Sequence, residues 1–497
     1  LGGLGEVGMN AYLYGYGPVD KREWLLVDLG ITFPEGEDDP GVDVILPDVR
    51  FLEANRDQLV GLILTHAHED HIGAVLELWP QLRCKIYATP FTAGMLRAKE
   101  ADFGYTNKIP LTVKPLDSRF KVGSFDIELV SVAHSVPETS SLVLRTNLGT
   151  VYHTADWKKD THPYLGKSLD EGRLHKLGDE GVLAIVCDST NAMRDGKSPN
   201  ETDVAQTLIQ IVEKAPQRVL VTTFSSNVAR IKACWEAAQK SGRRLIVAGR
   251  ALHRVIHVAM ESGYLPKDFT WVDQSEFKYF SRSEVLCLCT GSQGETRAAL
   301  ARIADYNHPD ISLDKADIVL FSSRSIPGNE RAIAGIQNSL IRMGCDVLTD
   351  HDALIHVTGH PRREELKEMY QIIRPNIVVP MHGEARHLIA NATLARSLGI
   401  KNVIPTYNGE ILRLAPGLPK KIDDAPVGRL FRDGHILLSE GEGPVQERRK
   451  LAQVGIVIVS LVLSSKGEIL TDPHVIIDGI PREDEYGESI PKAIYNA

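Results

Sequence analysis

The chain contains 497 residues, of which 43% are hydrophobic and 24% charged, and its formal net charge is −9. This length exceeds one ordinary hydrophobic core, so we expect two or three domains. The negative charge argues against indiscriminate nucleic-acid binding, although bound divalent ions would make a local site positive. No apolar run reaches the roughly 18 residues of a membrane span, and we expect neither a span nor a secretory signal. Six scattered cysteines within apolar runs predict reduced thiols and a cytoplasmic protein.

Short β-like segments separated by turns dominate the first 190 residues and predict a sheet region rich in antiparallel pairs. These segments cover residues 11–14, 24–27, 125–130, 141–145 and 151–153, and residues 59–64 are predicted separately to be a buried strand that ends in a polar loop. From about residue 200 to residue 354 the pattern becomes strand, polar loop and helix, which is typical of a doubly wound α/β domain with functional residues at strand carboxyl ends. Strands followed by polar loops are predicted at 182–187, 219–222, 285–289 and 318–321, and helices at 228–241 and 330–343.

The last third of the chain is predicted to contain two helices, 362–373 and 384–397, around a short strand at 376–380. Residues 405–426 are rich in proline and glycine and are predicted to be connecting structure. A small strand-rich unit is expected from residue 451 onward.

Residues 66–71, HAHEDH, follow the predicted strand 59–64 and combine His66, His68, Asp70 and His71 on one turn. Two histidines in a His-x-His pair at a strand end can point to one side, and neutral imidazole and carboxylate suit zinc or a similar ion. A lone histidine here would more often be a surface residue, but the cluster favours a metal site. Glu69 is expected to be solvated or to support a ligand.

Four side chains on one loop cannot complete two coordination shells, so further ligands are expected at other strand ends. His134 follows the β-like run 127–132, Asp156 follows 151–154, and His382 follows 377–380. Each of these residues alone has an equally good structural explanation. Together they supply the missing number and type of donors.

Several motifs resemble known families. HAHEDH, HSVPET, TADWKKD and the leading LGGLGEVGMN are similar to metallo-β-lactamase-fold hydrolases. DST at 188–190, HVTGH at 356–360 and PMHGE at 380–384 resemble the A, B and C motifs of the β-CASP nucleases. Together with TGSQGE at 290–295 and SSRSIPGNE at 322–330, their order resembles the bacterial ribonuclease J family, from the first residue to about residue 440.

The resemblance implies an α/β fold in which a metallo-β-lactamase αββα sandwich carries an inserted β-CASP doubly wound α/β domain and a small α+β C-terminal domain. The expected boundaries are 1–197 and 357–440 for the two parts of the metallo-β-lactamase domain with its linker, 198–356 for the β-CASP domain, and 441–497 for a C-terminal domain. That last domain is short for the family, and we expect it to be incomplete. Trp157 and Lys158 depart from a sequence that is often Phe-based in the family, which leaves only the local packing in question.

The resemblance also implies the roles of individual residues. One zinc ion would be held by His66, His68 and His134, the second by Asp70, His71 and His382, with Asp156 bridging them; Mn²⁺ or Mg²⁺ are alternatives in activity. The segment His356, Val357, Thr358, Gly359 and His360 would contact the substrate phosphate.

Two further sets of residues are predicted to take part in catalysis and in binding the 5′ end of the substrate. Asp70 and His360 are the candidate catalytic residues, with His360 or a metal-bound water as the proton donor. Ser323 and Arg324 are candidates for holding a terminal 5′ phosphate, although Arg324 is about equally well explained as a solvated surface residue.

We therefore expect a zinc-dependent ribonuclease that cleaves RNA internally and from its 5′ end, in RNA maturation and decay. The expected partner is single-stranded RNA with a 5′ monophosphate, and the resemblance implies a homodimer or homotetramer and no membrane. Three alternatives remain: a β-CASP nuclease acting on DNA, a hydrolase of small esters, and an RNA-binding scaffold with structural metals. The small-ester hydrolase has no need for the α/β insert, and structural zinc sites are usually closed and Cys-rich.

Overall fold

Two structural units make up the chain in the computed structural model, which describes residues 1–34, 39–105, 109–326, 328–441 and 443–496. The first unit comprises Leu1–Thr32 and Pro47–Val427, and the second comprises Phe33–Leu46 and Gly428–Ala497. Among the described residues, none of the helices combines the length and the apolar character that crossing a bilayer requires. The domain boundaries expected at 197, 356 and 440 stay predictions.

The strands have the following bounds in chain order: β1 (Leu4–Gly5), β2 (Tyr12–Tyr16), β3 (Glu23–Val27), β4 (Val44–Pro47), β5 (Leu59–Ile63), β6 (Ile86–Ala88), β7 (Leu111–Val113), β8 (Arg119–Val122), β9 (Phe125–Ser131), β10 (Ser140–Thr146), β11 (Gly149–His153), β12 (Ala184–Asp188), β13 (Val219–Thr222), β14 (Arg244–Ala248), β15 (Val285–Cys289), β16 (Ile318–Phe321), β17 (Asp346–Leu348), β18 (Ile377–Met381), β19 (Gly383–Glu384), β20 (Asn402–Val403), β21 (Glu410–Arg413), β22 (Lys420–Asp424), β23 (Arg429–Asp433), β24 (Ile436–Ser439), β25 (Ile456–Ser460) and β26 (His474–Asp478). The α-helices are α1 (Arg50–Ala54), α2 (Glu69–Ile72), α3 (Val75–Leu82), α4 (Pro90–Asp102), α5 (Glu171–Glu180), α6 (Glu201–Lys214), α7 (Val228–Ser241), α8 (Arg250–Glu261), α9 (Ala299–Ala304), α10 (Glu330–Arg342), α11 (Arg363–Ile373), α12 (Ala385–Ser397), α13 (Gly443–Val454) and α14 (Ile490–Asn496). Short 3₁₀ turns occur at Val19–Lys21, Arg56–Gln58, Gln274–Tyr279 and Arg282–Glu284.

Two sheets packed face to face form the centre of the first unit. One has the strand order β2-β3-β5-β6-β7, and the other has the order β20-β18-β12-β11-β10-β9-β8. Buried side chains from both sheets share one core, including Leu25, Ile63, Leu142 and Val379. Helices α5, α11 and α12 cover the opposite face of the seven-stranded sheet with residues such as Leu174. This is the expected layered α/β sandwich.

The prediction of antiparallel-rich pairing in the first 190 residues is wrong for one sheet. Strands β8 to β11 pair antiparallel, as does β2 with β3, but β3, β5, β6 and β7 are parallel neighbours. Parallel neighbours need crossover connections, and helices α1, α3 and α4 lie in the connections between these strands. Short apolar strands look the same in either direction, so their spacing could not reveal the pairing.

A separate, fully parallel sheet of order β14-β15-β13-β16-β17 is inserted between β12 and β18. Three of its strands have the bounds that the hydrophobic runs predict, 219–222, 285–289 and 318–321. Although the insert separates β12 and β18 along the chain, they are hydrogen-bonded neighbours, with Ala184 opposite Ile377. The doubly wound insert expected from the sequence is therefore confirmed.

Residues 405–426, which were predicted to be connecting structure, contain a hairpin of β21 and β22. Its turn lies at the Pro416-Gly417 pair, and Pro-Gly favours a tight turn as much as a linker. The second unit contains the sheet β24-β23-β4, the hairpin β25-β26, and helices α13 and α14.

Candidate metal centre

The HAHEDH motif lies where the buried strand β5 ends and the short helix α2 begins. His68 has extended backbone angles just before the helix, so His66 and His68 precede it while Asp70 and His71 lie on its first turn. The backbone around Gly30 packs directly on this turn, since a Cβ at Gly30 would lie 1.7 Å from the Asp70 carbonyl oxygen. The peptide N–H of Leu29 donates to the His71 carbonyl at 2.8 Å. The residues that follow strand β3 thereby fix the position of the HAHEDH motif.

Asp156 lies at the centre of the cluster. Its Oδ2 atom is 3.2 Å from His71 Nε2, and 3.6 to 3.7 Å from the Nε2 atoms of His134, His382 and His66. Its Oδ1 atom is buried and has no hydrogen-bond partner among the described residues. A buried carboxylate oxygen without a partner is costly unless a cation satisfies it.

Three groups of potential ligand atoms share Asp156, and within each group all atoms lie within 4.8 Å of one another; the third consists of Asp156, Asp188 and His360. The first group is His66, His68, His134 and Asp156, and the second is Asp70, His71, Asp156 and His382. In the first group His68 Nδ1 is 3.1 Å from His66 Nε2 and 3.1 Å from His134 Nε2. Ligand nitrogens at about 2.0 Å from a tetrahedral zinc are about 3.3 Å apart. The spacing and chemistry of these donors fit a divalent metal site.

The electrostatics of the histidines also suit metal binding. Burial lowers the pKa of His66 and His134 well below 6.5, and it lowers the pKa of His68 to about 4. These rings are therefore neutral at physiological pH, the form that coordinates metals. Burial alone would lower the pKa of His71, but the surrounding carboxylates, that of Asp156 above all, raise it well above the ordinary value. A cation bound in the second group would displace that proton.

Three of the candidate ligand imidazoles donate a hydrogen bond from their second ring nitrogen to a fixed acceptor. His71 Nδ1 donates to Asp28 Oδ2, His134 Nδ1 to the Gly359 carbonyl, and His382 Nδ1 to Asn10 Oδ1, each at 2.7 Å. These bonds leave each Nε2 atom directed at the centre. Asp28 also accepts a 2.8 Å bond from the Thr65 hydroxyl, which lies 3.0 Å from His66 Nδ1.

The HVTGH segment lies against the same centre. His360 Nδ1 donates to Asp188 Oδ2 at 2.7 Å and lies 4.0 Å from Asp156 Oδ2. Burial alone would lower the pKa of His360, but the carboxylates of Asp188 and Asp156 raise it to about 9. Gly359 is required by space, since a Cβ there would lie 2.5 Å from the His134 ring.

The other residues proposed to contact the substrate differ in their burial and in their hydrogen bonds. Val357 is buried, whereas His356 is partly exposed and its Nδ1 atom has no hydrogen-bond partner among the described residues. Thr358 Oγ1 accepts a 2.8 Å bond from the Asn191 amide. Ser323 is buried and Arg324 is partly exposed on the loop after β16, and neither belongs to the groups of potential metal ligands.

Sequence reasoning missed three residues that support the cluster: Asp28, Asn10 and Asp188. Asp28 directly follows the apolar strand β3, and Asn10 closes the Gly-rich LGGLGEVGMN, so a polar residue at a strand end was the available signal. Asp188 stood in the DST motif without a role. Glu69, expected to be solvated or supporting, forms an ion pair with Lys99.

Three family models match the chain. The metallo-beta-lactamase superfamily matches residues 4–179, the ribonuclease J beta-CASP domain matches residues 216–340, and the Zn-dependent metallo-hydrolase RNA specificity domain matches residues 350–405. These matches follow the chain in the order sandwich, insert and returning segment. They agree with the fold described above.

Relatives with established names are similar over nearly the whole chain. Ribonuclease J of Sinorhizobium meliloti is 49% identical over 497 residues, which are 100% of this chain and 88% of that protein. Ribonuclease J of Mycolicibacterium smegmatis is 36% identical over 500 aligned positions, covering 99% of this chain and 88% of that protein. A crystal structure of a protein of unknown function from Enterococcus faecalis has a TM-score of 0.54 at 14% identity and covers 85% of this chain and 98% of its own, a likeness of fold alone.

Proposed function

The chain belongs to the ribonuclease J family, and from this premise we propose that it is a metal-dependent ribonuclease that hydrolyses RNA phosphodiester bonds. The observation that carries the proposal is the convergence of two donor groups on Asp156, directly beside the HVTGH segment. A hydrolytic centre next to a segment suited to phosphate accounts for both features. A purely structural metal site would not require the adjacent HVTGH segment.

We assign two zinc ions to this centre, with Mn²⁺ or Mg²⁺ as alternatives in activity. One would be held by His66, His68 and His134 and the other by Asp70, His71 and His382, with Asp156 shared. The unpartnered Asp156 Oδ1 and the 3.1 Å spacing of the first three nitrogens support this assignment. When bound, such ions lower the pKa of a coordinated water and offset negative charge on phosphoryl oxygens.

The protein groups around the centre then act on the substrate. His360 holds a proton on an imidazole whose Nδ1 is fixed by Asp188, so its opposite nitrogen is free to give a proton to the leaving 3′ oxygen. Asp70, on the turn after His68, completes the second group and orients the reacting side of the centre. Its position is held by Asn10, whose amide nitrogen lies 3.3 Å from Asp70 Oδ2.

Residues 356–360 would contact the scissile phosphate, and Ser323 with Arg324 would hold a 5′ monophosphate. Support for the second contact comes from the adjacency of the two loops, since Ser322 Oγ donates to the Ile355 carbonyl at 2.7 Å. Single-stranded RNA is the proposed substrate, cleaved from its 5′ end and internally, in RNA maturation and decay. The proposal includes a homodimer or homotetramer and a cytoplasmic location, which the six free, buried cysteines favour.

Matched RNA and DNA oligonucleotides, labelled at a 5′ monophosphate or triphosphate end, test this function. We expect cleavage of RNA, with labelled mononucleotide and longer labelled fragments, and at least about 100-fold loss in His68→Ala because a ligand is removed. His175→Ala, an exposed helix position outside the centre, is the matched control and should retain wild-type activity. Cleavage of DNA in preference to RNA, or wild-type activity in His68→Ala, would contradict the proposal.

A further inference from the structure

A buried arginine of the parallel-sheet insert, Arg230 on α7, contacts two loops at once. The side chain is only 1% exposed. Its Nη1 donates to the Ile355 carbonyl at 2.6 Å and to the Ser322 carbonyl at 3.1 Å, and it also contacts Ser322 Oγ. Ser322 immediately precedes Ser323 and Arg324, and Ile355 immediately precedes His356.

The charge of Arg230 is balanced by Glu201 at the start of α6. Arg230 Nη2 donates to both carboxylate oxygens of Glu201, at 2.8 and 3.1 Å. Burial alone would raise the pKa of Glu201, but Arg230 and Lys158 lower it below the ordinary value, so the carboxylate stays ionised. Asn227 fixes the same pair, accepting from the Arg230 peptide N–H at 2.9 Å and donating to Glu201 at 3.3 Å.

The same network reaches the loop that follows Asp156. The Glu201 peptide N–H donates to Asp160 Oδ2 at 3.0 Å, and Lys158 Nζ lies 3.0 Å from the same oxygen. Two buried ion pairs, Lys158–Asp160 and Arg230–Glu201, are therefore joined through the Glu201 peptide N–H and connect the loop after Asp156 with the two loops of the insert. Each of these side chains is at most 8% exposed.

We propose that Arg230 is a positioning residue that fixes the 322–324 loop and the start of the 356–360 segment relative to each other, and so sets how the RNA chain lies across the metal centre. This inference rests on the proposed ribonuclease function. A guanidinium suits the role because its planar fork donates in several fixed directions at once, which an ammonium group cannot do.

The far end of the 356–360 segment has separate anchors. Asn191 donates to Thr358 Oγ1 at 2.8 Å, and Ser198 Oγ donates to the His360 carbonyl at 3.0 Å. Gly359 in turn accepts from His134. Loss of Arg230 should therefore displace the His356 end of the segment while leaving the metal ligands in place.

Arg243 offers a matched control within the same domain. It is also buried and donates to backbone carbonyls, those of Gln217 at 2.7 Å and Val285 at 3.3 Å. It lies at the amino ends of the parallel strands, just before β14, away from Ser322 and Ile355. Arg230→Lys and Arg243→Lys thus remove comparable buried contacts at opposite edges of one sheet.

The experiment compares the two variants with the wild-type chain, all loaded with metal, on 5′-monophosphorylated RNA and on bis(p-nitrophenyl) phosphate. In Arg230→Lys we expect KM for RNA to rise about 10-fold or more, because misplacement of about 1 Å can cost 100-fold. Metal content and turnover of the small diester should stay within about twofold of wild type. Arg243→Lys should alter neither activity, and Ser322→Ala, which keeps the Arg230–Glu201 pair, should raise KM for RNA about threefold.

Unchanged KM and kcat for RNA in folded Arg230→Lys would overturn the inference, as would an equal loss of both activities or the same loss in Arg243→Lys. If Arg230→Lys fails to fold, Ser322→Ala decides, and wild-type KM there overturns the inference. A wild-type chain that leaves RNA intact refutes the ribonuclease function itself. The two failures are therefore distinguishable.

Discussion

Replacing Asn10 by alanine removes one side chain that contacts three proposed ligands of the second ion, Asp70, His71 and His382. Asn10 Oδ1 accepts from His382 Nδ1 at 2.7 Å and from the Tyr12 hydroxyl at 2.7 Å, while Nδ2 donates to the Asp70 carbonyl at 3.1 Å. The Asp70 carbonyl can only accept, so its bond fixes which end of the Asn10 amide faces His382. Among the described residues, Asn10 forms no contact with His66, His68 or His134, so the change should act on one ion alone.

The size of the effect follows from these contacts. Loss of a group that orients metal ligands typically weakens metal affinity about 10- to 100-fold, which corresponds to about 1.4 to 2.7 kcal/mol. We therefore expect the second ion to bind about 10- to 100-fold more weakly in Asn10→Ala, and the first to change by less than about threefold. RNA cleavage should fall at limiting metal and recover in part at excess metal.

Isothermal titration of the metal-free protein with Zn²⁺, against a competing chelator, measures the two affinities separately. Asn408→Ala is the matched control, because Asn408 also holds the amino-terminal segment, through Leu4 and Glu6, but contacts no ligand. Equally weakened binding of both ions in Asn10→Ala, or the same loss of affinity in Asn408→Ala, would contradict the assignment of Asn10 to the second ion.

Three further predictions concern neighbouring groups. Asp188→Asn should lower the pKa of His360 from about 9, which NMR titration of the metal-free protein measures; an unchanged pKa would contradict the pairing. Because that pKa lies above the ordinary 6.5, the Asp188–His360 pair stabilises the metal-free protein fully below pH 6.5, and this contribution is lost as pH rises through about 9. The thermal midpoint of the wild type should therefore fall over that pH range by more than the thermal midpoint of Asp188→Asn. Glu69→Gln removes the carboxylate that pairs with the buried Lys99 ammonium, and it should destabilise the fold by about 1 to 3 kcal/mol. RNA cleavage should stay intact, and urea unfolding and a cleavage assay measure the two effects. Chelation should abolish cleavage while leaving circular dichroism and RNA binding unchanged, and loss of fold on chelation would favour a structural metal instead.

Local sequence patterns predicted the strands and the candidate ligands correctly where the relevant residues lie within one strand or one loop. The runs at Val219–Thr222 and Ile318–Phe321 are apolar and end in polar loops, and the strands have those bounds. The ligand candidates were recognisable because imidazoles and carboxylates followed several strands of this kind. The family resemblance then joined segments that the chain separates by more than two hundred residues.

Tertiary proximity accounts for what the sequence could not reveal. Asn10, just before β2, and Asp28, just after β3, are ordinary polar residues, and only the folded chain brings them to His382 and His71. An arginine in a helix is usually exposed to solvent, but Arg230 on α7 is buried. It is covered by Glu201 and by the loops that contain Ser322 and Ile355. Parallel pairing of β3 with β5 depends on the crossover path between them, which a strand's own residues do not encode.

Digestion of a 5′-labelled, monophosphorylated RNA by the metal-loaded chain and by its Asp156→Asn variant tests whether the donor groups that meet at Asp156 form the centre that hydrolyses RNA. Both donor groups share Asp156, so the account predicts that wild type releases labelled products and that the variant, folded to the same extent, loses at least about 1,000-fold in rate. Degradation by Asp156→Asn at the wild-type rate, or intact RNA after incubation with the metal-loaded wild type, would contradict it.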